Sequence, residues 1–294
     1  MPKEVAGVQC LLPTPFTQDA AAVDEDSFRK VIDYVIDGGV DGLVVAGKAG
    51  EFEALTMRER RRLMDVTVEH VGGRVPTGVG IINSTYQDGL TVGRWAKEAG
   101  LDYVMSRPPV DGDVMGYFRE LAAVVPVVIY DQGVRGELSV ADVIAPLARE
   151  TGNIIAVKVS GIPEKVLEIK QTMNVPALCG WDLMSLLAYE MGADGVISGF
   201  AALLPDPEVR LRTSVKEHRL GDAREIFYKE CVPILPHVTF DPFGFSAGKW
   251  LLHWRGIIRW PIVREPLNHP INRHRIEELK HALERVGALQ LQSA

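Results

Sequence analysis

The chain has 294 residues, 47% hydrophobic and 24% charged, with a mean hydropathy of +0.05, the composition of a globular protein with material for a large core. A formal charge of -7 and a pI near 5.6 argue against a nucleic-acid-binding surface, and the short basic runs "MRERRR" (57–62) and "NRHRIEELKH" (272–281) read as solvated helix faces beside glutamates. No stretch approaches the roughly 18–20 continuous apolar residues of a membrane helix, so no membrane partner is expected.

The first segment, "MPKEVAGVQCLLPTPF" (1–16), has too short an apolar core for a signal peptide and runs directly into a strand-like pattern. Cys10, Cys179 and Cys231 are odd in number, far apart and without a C-x-x-C pair. They support neither a disulfide framework nor a zinc site, and a reducing cytoplasm is the simplest compartment.

Taken in order, β-rich runs alternate with helical patterns. "GVQCLLP" (7–13) precedes "DEDSFRKVIDYVIDGG" (24–39), which opens on acidic capping residues and closes on glycine. "DGLVVAG" (41–47) precedes a helix over 56–73, and "VPTGVGII" (75–82) one over 85–100. "LDYVMSRPP" (101–109), "VPVVIYD" (125–131), "NIIAVKVSG" (153–161), "VPALCGW" (175–181) and "DGVISGF" (194–200) are each followed by a helical pattern in the same way. Eight strand–helix pairs of about 25–30 residues give the βαβ rhythm of a parallel sheet. The strands are nearly continuous apolar runs, as when both faces are covered.

The expected fold is therefore α/β, a closed (β/α)8 TIM barrel over 1–217, with helices over 218–294 packed on it as a single unit. No G-x-G-x-x-G follows the first strand, which counts against a dinucleotide-binding fold.

Reactive groups of such a barrel lie at the C-terminal ends of strands. There stand "GKAGE" (47–51), Arg107, Tyr130 with Asp131 and Arg135, Lys158, and "GWD" ending in Asp182. Period-two alternation sets Ala156, Lys158 and Ser160 toward the lumen and Ile155, Val157 and Val159 toward the helices. An ammonium enclosed there is disfavoured, so its pKa falls, and a neutral lysine attacks a carbonyl to form a Schiff base. The competing reading is an ion pair with Glu51 or Asp182. Tyr130, at the end of the neighbouring strand, is either the acid/base such an imine needs or a packing residue. The strand ends carry no His/Asp/Glu cluster, so no metal is expected.

These residues lie within an ordered set of stretches: "TPF" (14–16), "VDEDSF" (23–28), "GVDGLVVAGKAGEFEALTMRER" (39–60), "GRVPTGVGIINST" (73–85), "PVVIYDQGVRG" (126–136), "IIAVKVSG" (154–161), "GADGVISGFAALLPD" (192–206) and a C-terminal "GKW…REP". With this set the chain resembles the N-acetylneuraminate lyase/dihydrodipicolinate synthase family of class I aldolases along nearly its whole length. The resemblance implies that Lys158 forms an imine with a 2-oxo acid, usually pyruvate, with no added cofactor, and that Tyr130 shuttles protons to the adduct. It implies that the loop of Gly47, Lys48, Ala49, Gly50 and Glu51 holds the substrate carboxylate. Arg135 falls on an arginine that in the synthases contacts the second substrate, and Gly180, Asp182, Ile197 and Ser198 fall on the rim of the adduct. Relatives are commonly tetramers built from dimers, so a homo-oligomer is expected.

The chain also departs from that pattern. Lys48 and Ala49 replace two hydroxyl residues; Lys48 either adds charge near Lys158 or points to solvent. Val110 and Asp111 stand where the synthases carry the aromatic residues of a cross-subunit proton relay. That relay cannot be built in its usual form, which disfavours lysine biosynthesis. Leu183 replaces the glutamate with which sialic acid lyases contact sugar hydroxyls, while Trp181 offers a flat apolar wall. Asp131 and Gln132 form a polar pair without an assigned role. Arg107 either holds a second acidic group of the substrate or is neutralised by Asp111 or Asp113. The leading expectation is a Schiff-base lyase acting on a 2-oxo acid, by retro-aldol cleavage or by dehydration of a 2-keto-3-deoxy sugar acid. The alternatives are 4-hydroxy-tetrahydrodipicolinate synthase and a non-catalytic binder of 2-oxo acids.

Overall fold

The computed structural model describes residues 4–133, 136–161, 163–238, 243–269 and 271–289. Eight parallel strands close into one barrel: β1 (Gly7–Leu11), β2 (Gly42–Val45), β3 (Thr77–Ile81), β4 (Tyr103–Ser106), β5 (Val127–Tyr130), β6 (Ile154–Val159), β7 (Ala177–Cys179) and β8 (Gly195–Ser198). Each strand lies between its sequence neighbours, and β8 closes on β1 through the register Val8↔Val196. The TIM barrel expected from the strand–helix rhythm is the fold of the chain.

The helices of the outer ring are α1 (Glu25–Asp37), α2 (Met57–Val71), α3 (Tyr86–Ala99), α4 (Val114–Val124), α5 (Ala145–Thr151), α6 (Glu164–Thr172), α7 (Ser185–Glu190) and α8 (Pro205–Lys216). Their ends follow local chemistry. Asp24 caps α1 by accepting the Ser27 N–H, and Thr56 and Glu59 cap α2 reciprocally. Four further helices follow: α9 (Leu220–Ile226), α10 (Leu235–Val238), α11 (Gly244–Trp254) and α12 (Arg273–Arg285). No helix among the described residues is long and apolar enough to cross a membrane.

Strand pleating divides the core in two. Leu11, Val44, Met105, Val128, Ala156 and Leu178 fill the lumen, whereas Val45, Val104, Ile129, Val157 and Val159 pack outward against the helices. One residue departs from the alternation. Ile155, expected outward with Val157, is partly buried and packs against the lumenal cluster. The cause is a register shift: Val127 pairs with Ile154 but Val128 with Ala156, so Ile155 is the extra residue of a bulge. Beyond the bulge the register runs on evenly to Tyr130↔Lys158, and the two side chains stand next to each other.

Candidate active site

Lys158 is 3% exposed, near the lumenal end of β6. Its Nζ lies 4.2 Å from the centroid of the Tyr130 ring. Burial is the main force lowering its pKa; Tyr130 and Asp182 oppose that, and the Arg107 charge adds to it. The ion-pair reading fails on geometry. Among the described residues no carboxylate is in salt-bridge contact with Lys158, and Glu51 is bound elsewhere. Gly180 leaves room for the lysine: a Cβ there would come 2.4 Å from Lys158 Cε and 2.3 Å from Ser160 Oγ.

Tyr130 stands between two cations. Arg107, directly after β4, donates through Nη2 to the Tyr130 hydroxyl at 2.7 Å, with its guanidinium carbon 4.3 Å from the ring centroid. Burial opposes ionisation of this phenol, yet Lys158, Arg107 and hydrogen bonding bring its pKa down to about 8. Arg107 also reaches Gln132 Oε1 at 3.4 Å, and its Nε is buried without a partner. Asp111 and Asp113 do not neutralise it, because Asp111 accepts the Tyr86 N–H and Asp113 caps α4.

The polar pair after Tyr130 thereby acquires places. Gln132 receives Arg107, and Asp131 ties the ends of two strands to a helix. Its Oδ1 accepts the Ser160 N–H at 3.2 Å, and its Oδ2 meets Lys165 Nζ of α6 at 2.9 Å. Lys165 also holds Glu137 at 2.8 Å. Arg135 lies outside the described residues.

The "GKAGE" loop divides between two surroundings. Lys48 is exposed and lines the cavity that contains Lys158 and Tyr130. The N–H groups of Gly50 and Glu51 close turns on the carbonyls of Gly47 and Lys48. Among the described residues those of Lys48 and Ala49 have no intramolecular acceptor, which leaves two donors for an anion. Ala46 and Glu51, one on each side of the loop, hold φ of 51° and 55°, a conformation rare for residues with a Cβ.

Glu51 turns away from the lumen. It is 1% exposed and in ion-pair contact with Lys249 of α11, itself 2% exposed. Lys249 Nζ donates to the Ile262 carbonyl at 2.6 Å and lies 4.2 Å from the Phe16 ring centroid, while Arg264 lies 4.1 Å from the same centroid. Arg264 continues to Glu59 at 2.8 Å and to the Ala20 carbonyl at 2.7 Å. The C-terminal segment thus locks the back of the loop. Lys249 and Arg264 had a signal in the sequence, the "GKW…REP" stretch, but no chemistry was drawn from it.

Asp182 is part-exposed as a residue, yet its carboxyl end is enclosed and burial raises its pKa, with Ser198 and the Phe200 N–H (3.2 Å) as partners. Ser198 Oγ accepts the Ala201 N–H at 2.9 Å, and Ile197 belongs to the lumenal cluster. The cavity over Lys158 measures about 460 Å3 and is walled by Trp181, 45% exposed, and by Leu235 and Val238 of α10. Size does not select it, since hollows of about 500 and 970 Å3 open at the N-terminal ends of the strands, beside Asp194 and Arg212. Its chemistry does: an enclosed amine and a phenol of depressed pKa meet at the catalytic face of this fold.

A family model, the dihydrodipicolinate synthetase family, matches residues 4–286. The chain is 33% identical over 233 residues to a 4-hydroxy-tetrahydrodipicolinate synthase of Methanothermobacter thermautotrophicus, covering 74% of this chain and 81% of the relative. It is 32% identical over 263 residues to the enzyme of the same name from Methanococcus vannielii, covering 83% and 90%. A crystal structure of a dihydrodipicolinate synthase superposes with a TM-score of 0.89 at 26% identity, over 97% of this chain and all of that one.

Proposed function

The chain belongs to the dihydrodipicolinate synthetase family of class I, lysine-imine lyases, and from that membership we propose that Lys158 captures a pyruvate-type 2-oxo acid while Tyr130 carries the proton. The amine nitrogen adds to the ketone carbon, the ketone oxygen departs as water, and a C=N bond remains. In its protonated form that bond draws in the electron pair released when a neighbouring C–C bond breaks or a C–H bond gives up its proton, and the enamine so formed returns the pair when a C–C bond forms or a hydroxyl group leaves. Tyr130 takes and returns the proton at each stage. The N–H groups of Lys48 and Ala49 receive the substrate carboxylate. No added cofactor is needed in this scheme.

The observation that carries the proposal is the enclosed Lys158, free of carboxylate contact and 4.2 Å from the Tyr130 ring. Within the shared chemistry, the names of the relatives favour the synthase over the sugar-acid aldolase or dehydratase that the departures in the sequence favour. The product in that name has seven carbons, a ring nitrogen and two carboxylates; less the three carbons and one carboxylate of pyruvate, it requires a four-carbon amino acid with an aldehyde to accept the new bond, which is aspartate 4-semialdehyde. Lys48, Ala49 and Arg107 are the residues that set this chain apart from the usual synthase site, and they support the cleavage reading as the second one. The helices after residue 217 belong with the barrel as one unit in this proposal, because Lys249 and Arg264 brace the substrate loop. The exposed Trp181 and Leu187 support an assembly that covers them, a dimer or tetramer. Three buried, unpaired cysteines support a reducing compartment.

Pyruvate followed by borohydride tests the imine. The intact protein gains the mass of the reduced adduct, and Lys158→Ala does not. Absence of any adduct across a panel of 2-oxo acids overturns the proposal. Tyr130→Phe retains trapping but loses turnover by about 10^2–10^4-fold. Consumption of pyruvate with aspartate 4-semialdehyde, against release of pyruvate from 2-keto-3-deoxy sugar acids, separates the two readings.

A further inference from the structure

The two hydroxyl residues and the aromatic segment from which a proton relay would be built are absent from this chain, so the phenol of Tyr130 needs another way to bear charge. Its surroundings supply one. Facing the ring are Lys158 from β6, Arg107 from the end of β4, Ser160 just beyond β6, and Gln132 on its own segment. Lys48, across the cavity, and Asp182, beyond Lys158, are the other charged groups of the pocket; Asp131 is turned away toward Lys165.

Only one of the cations against the ring is constant. Lys158 must be without its proton while it acts as a nucleophile, so its charge beside the ring is intermittent through the reaction. A guanidinium does not deprotonate in this range. Arg107 has the right geometry for the task, with a 2.7 Å bond to the oxygen and its guanidinium carbon 4.3 Å from the ring centroid. Among the described residues no carboxylate neutralises it.

We propose that Arg107 is a positioning residue that substitutes for the hydroxyl relay, pinning the Tyr130 oxygen and receiving the negative charge left there when the phenol gives up its proton. Its catalytic meaning rests on the imine reading, but the pairing itself can be measured without substrate. Ultraviolet difference titration of the full chain, with Tyr130→Phe subtracted, isolates the ionisation of this one tyrosine. In the unmutated protein it falls near 8. In Arg107→Gln it rises by about one unit or more, in Arg107→Lys by less, and the limb of the turnover profile that rises with pH moves with it. At pH 7.5 that shift costs Arg107→Gln about tenfold in turnover, while borohydride trapping of pyruvate at saturation is retained. An unmoved titration in Arg107→Gln overturns the proposal, as does a turnover loss equal at every pH. If Arg107→Gln lacks the native circular dichroism spectrum, Arg107→Lys decides, and an unmoved titration there overturns it equally. Failure of the unmutated chain to trap pyruvate would instead count against the imine reading and leave the titration result standing.

Discussion

Replacing Lys249 by methionine isolates the pair that braces the substrate loop. Both partners are buried, and the variant leaves the Glu51 carboxylate without its cation. Removing one member of a buried pair costs about 3–5 kcal/mol. Here the cost has an upper limit, because the carboxyl can neutralise itself by taking a proton. From an ordinary value of 4.5, protonation at pH 7 costs about 3.4 kcal/mol at roughly 1.36 kcal/mol per unit. Leaving the Ile262 carbonyl, now bonded at 2.6 Å, without its donor adds about 1 kcal/mol. The expected loss at pH 7 is about 4 kcal/mol.

The sign with pH follows from proton counting. In the variant the folded state holds a proton on Glu51 that the unfolded state releases above about 4.5, so stability falls as pH rises. At pH 5 protonation costs only about 0.7 kcal/mol, and the total loss shrinks to about 1.7 kcal/mol. In the parent chain the pair keeps one proton between its members whichever holds it, so no matching slope arises from it. Urea unfolding followed by far-ultraviolet circular dichroism at pH 5 and pH 7 measures both values. The double variant Glu51→Gln/Lys249→Met should recover most of the loss. Equal losses at the two pH values, or simple additivity in the double variant, would refute the reasoning.

Gly180→Ala places a methyl 2.4 Å from Lys158 Cε, so the lysine must turn aside; trapping of pyruvate slows by more than about tenfold, for an overpacking cost of about 1–3 kcal/mol in unfolding. Glu208 is 1% exposed, one of its oxygens has no partner, and burial raises its pKa well above 4.5. The folded state therefore keeps a proton that the unfolded state loses, and stability should fall above pH 4.5 by up to about 1.36 kcal/mol per unit. Glu208→Gln removes that slope, so the variant should gain on the parent between pH 5 and pH 8 in thermal scans, and parallel curves would contradict the assignment.

The barrel was legible because the strands are nearly continuous apolar runs between punctuating glycines and prolines, a pattern that depends on local sequence alone. Lys158 was legible for the opposite reason: it is the residue that such a run should not contain. The ring environment of Tyr130 was only half legible. That an arginine follows β4 is plain from the sequence, but its choice of the phenol over Asp111 depends on those acids being occupied by Tyr86 and α4. Glu51 was read as part of the substrate loop because the family resemblance places all of "GKAGE" there. Its orientation is set by a lysine and an arginine from the far end of the chain, and no local pattern encodes that meeting. Ile155 was misplaced because a bulge breaks the period on which the reading relied.

The Glu51–Lys249 contact joins the second strand's exit to a helix made long after it. A ribosome working from the N-terminus releases all eight strands before it releases the amine that fastens this corner. Until then the corner, with two residues in an unfavoured left-handed twist, is held from outside by the Thr14 hydroxyl on the Gly50 carbonyl and lacks its ion pair. Assembly of the hydrocarbon core and readiness of the pocket are thus separate events in the life of the chain, and competence comes second.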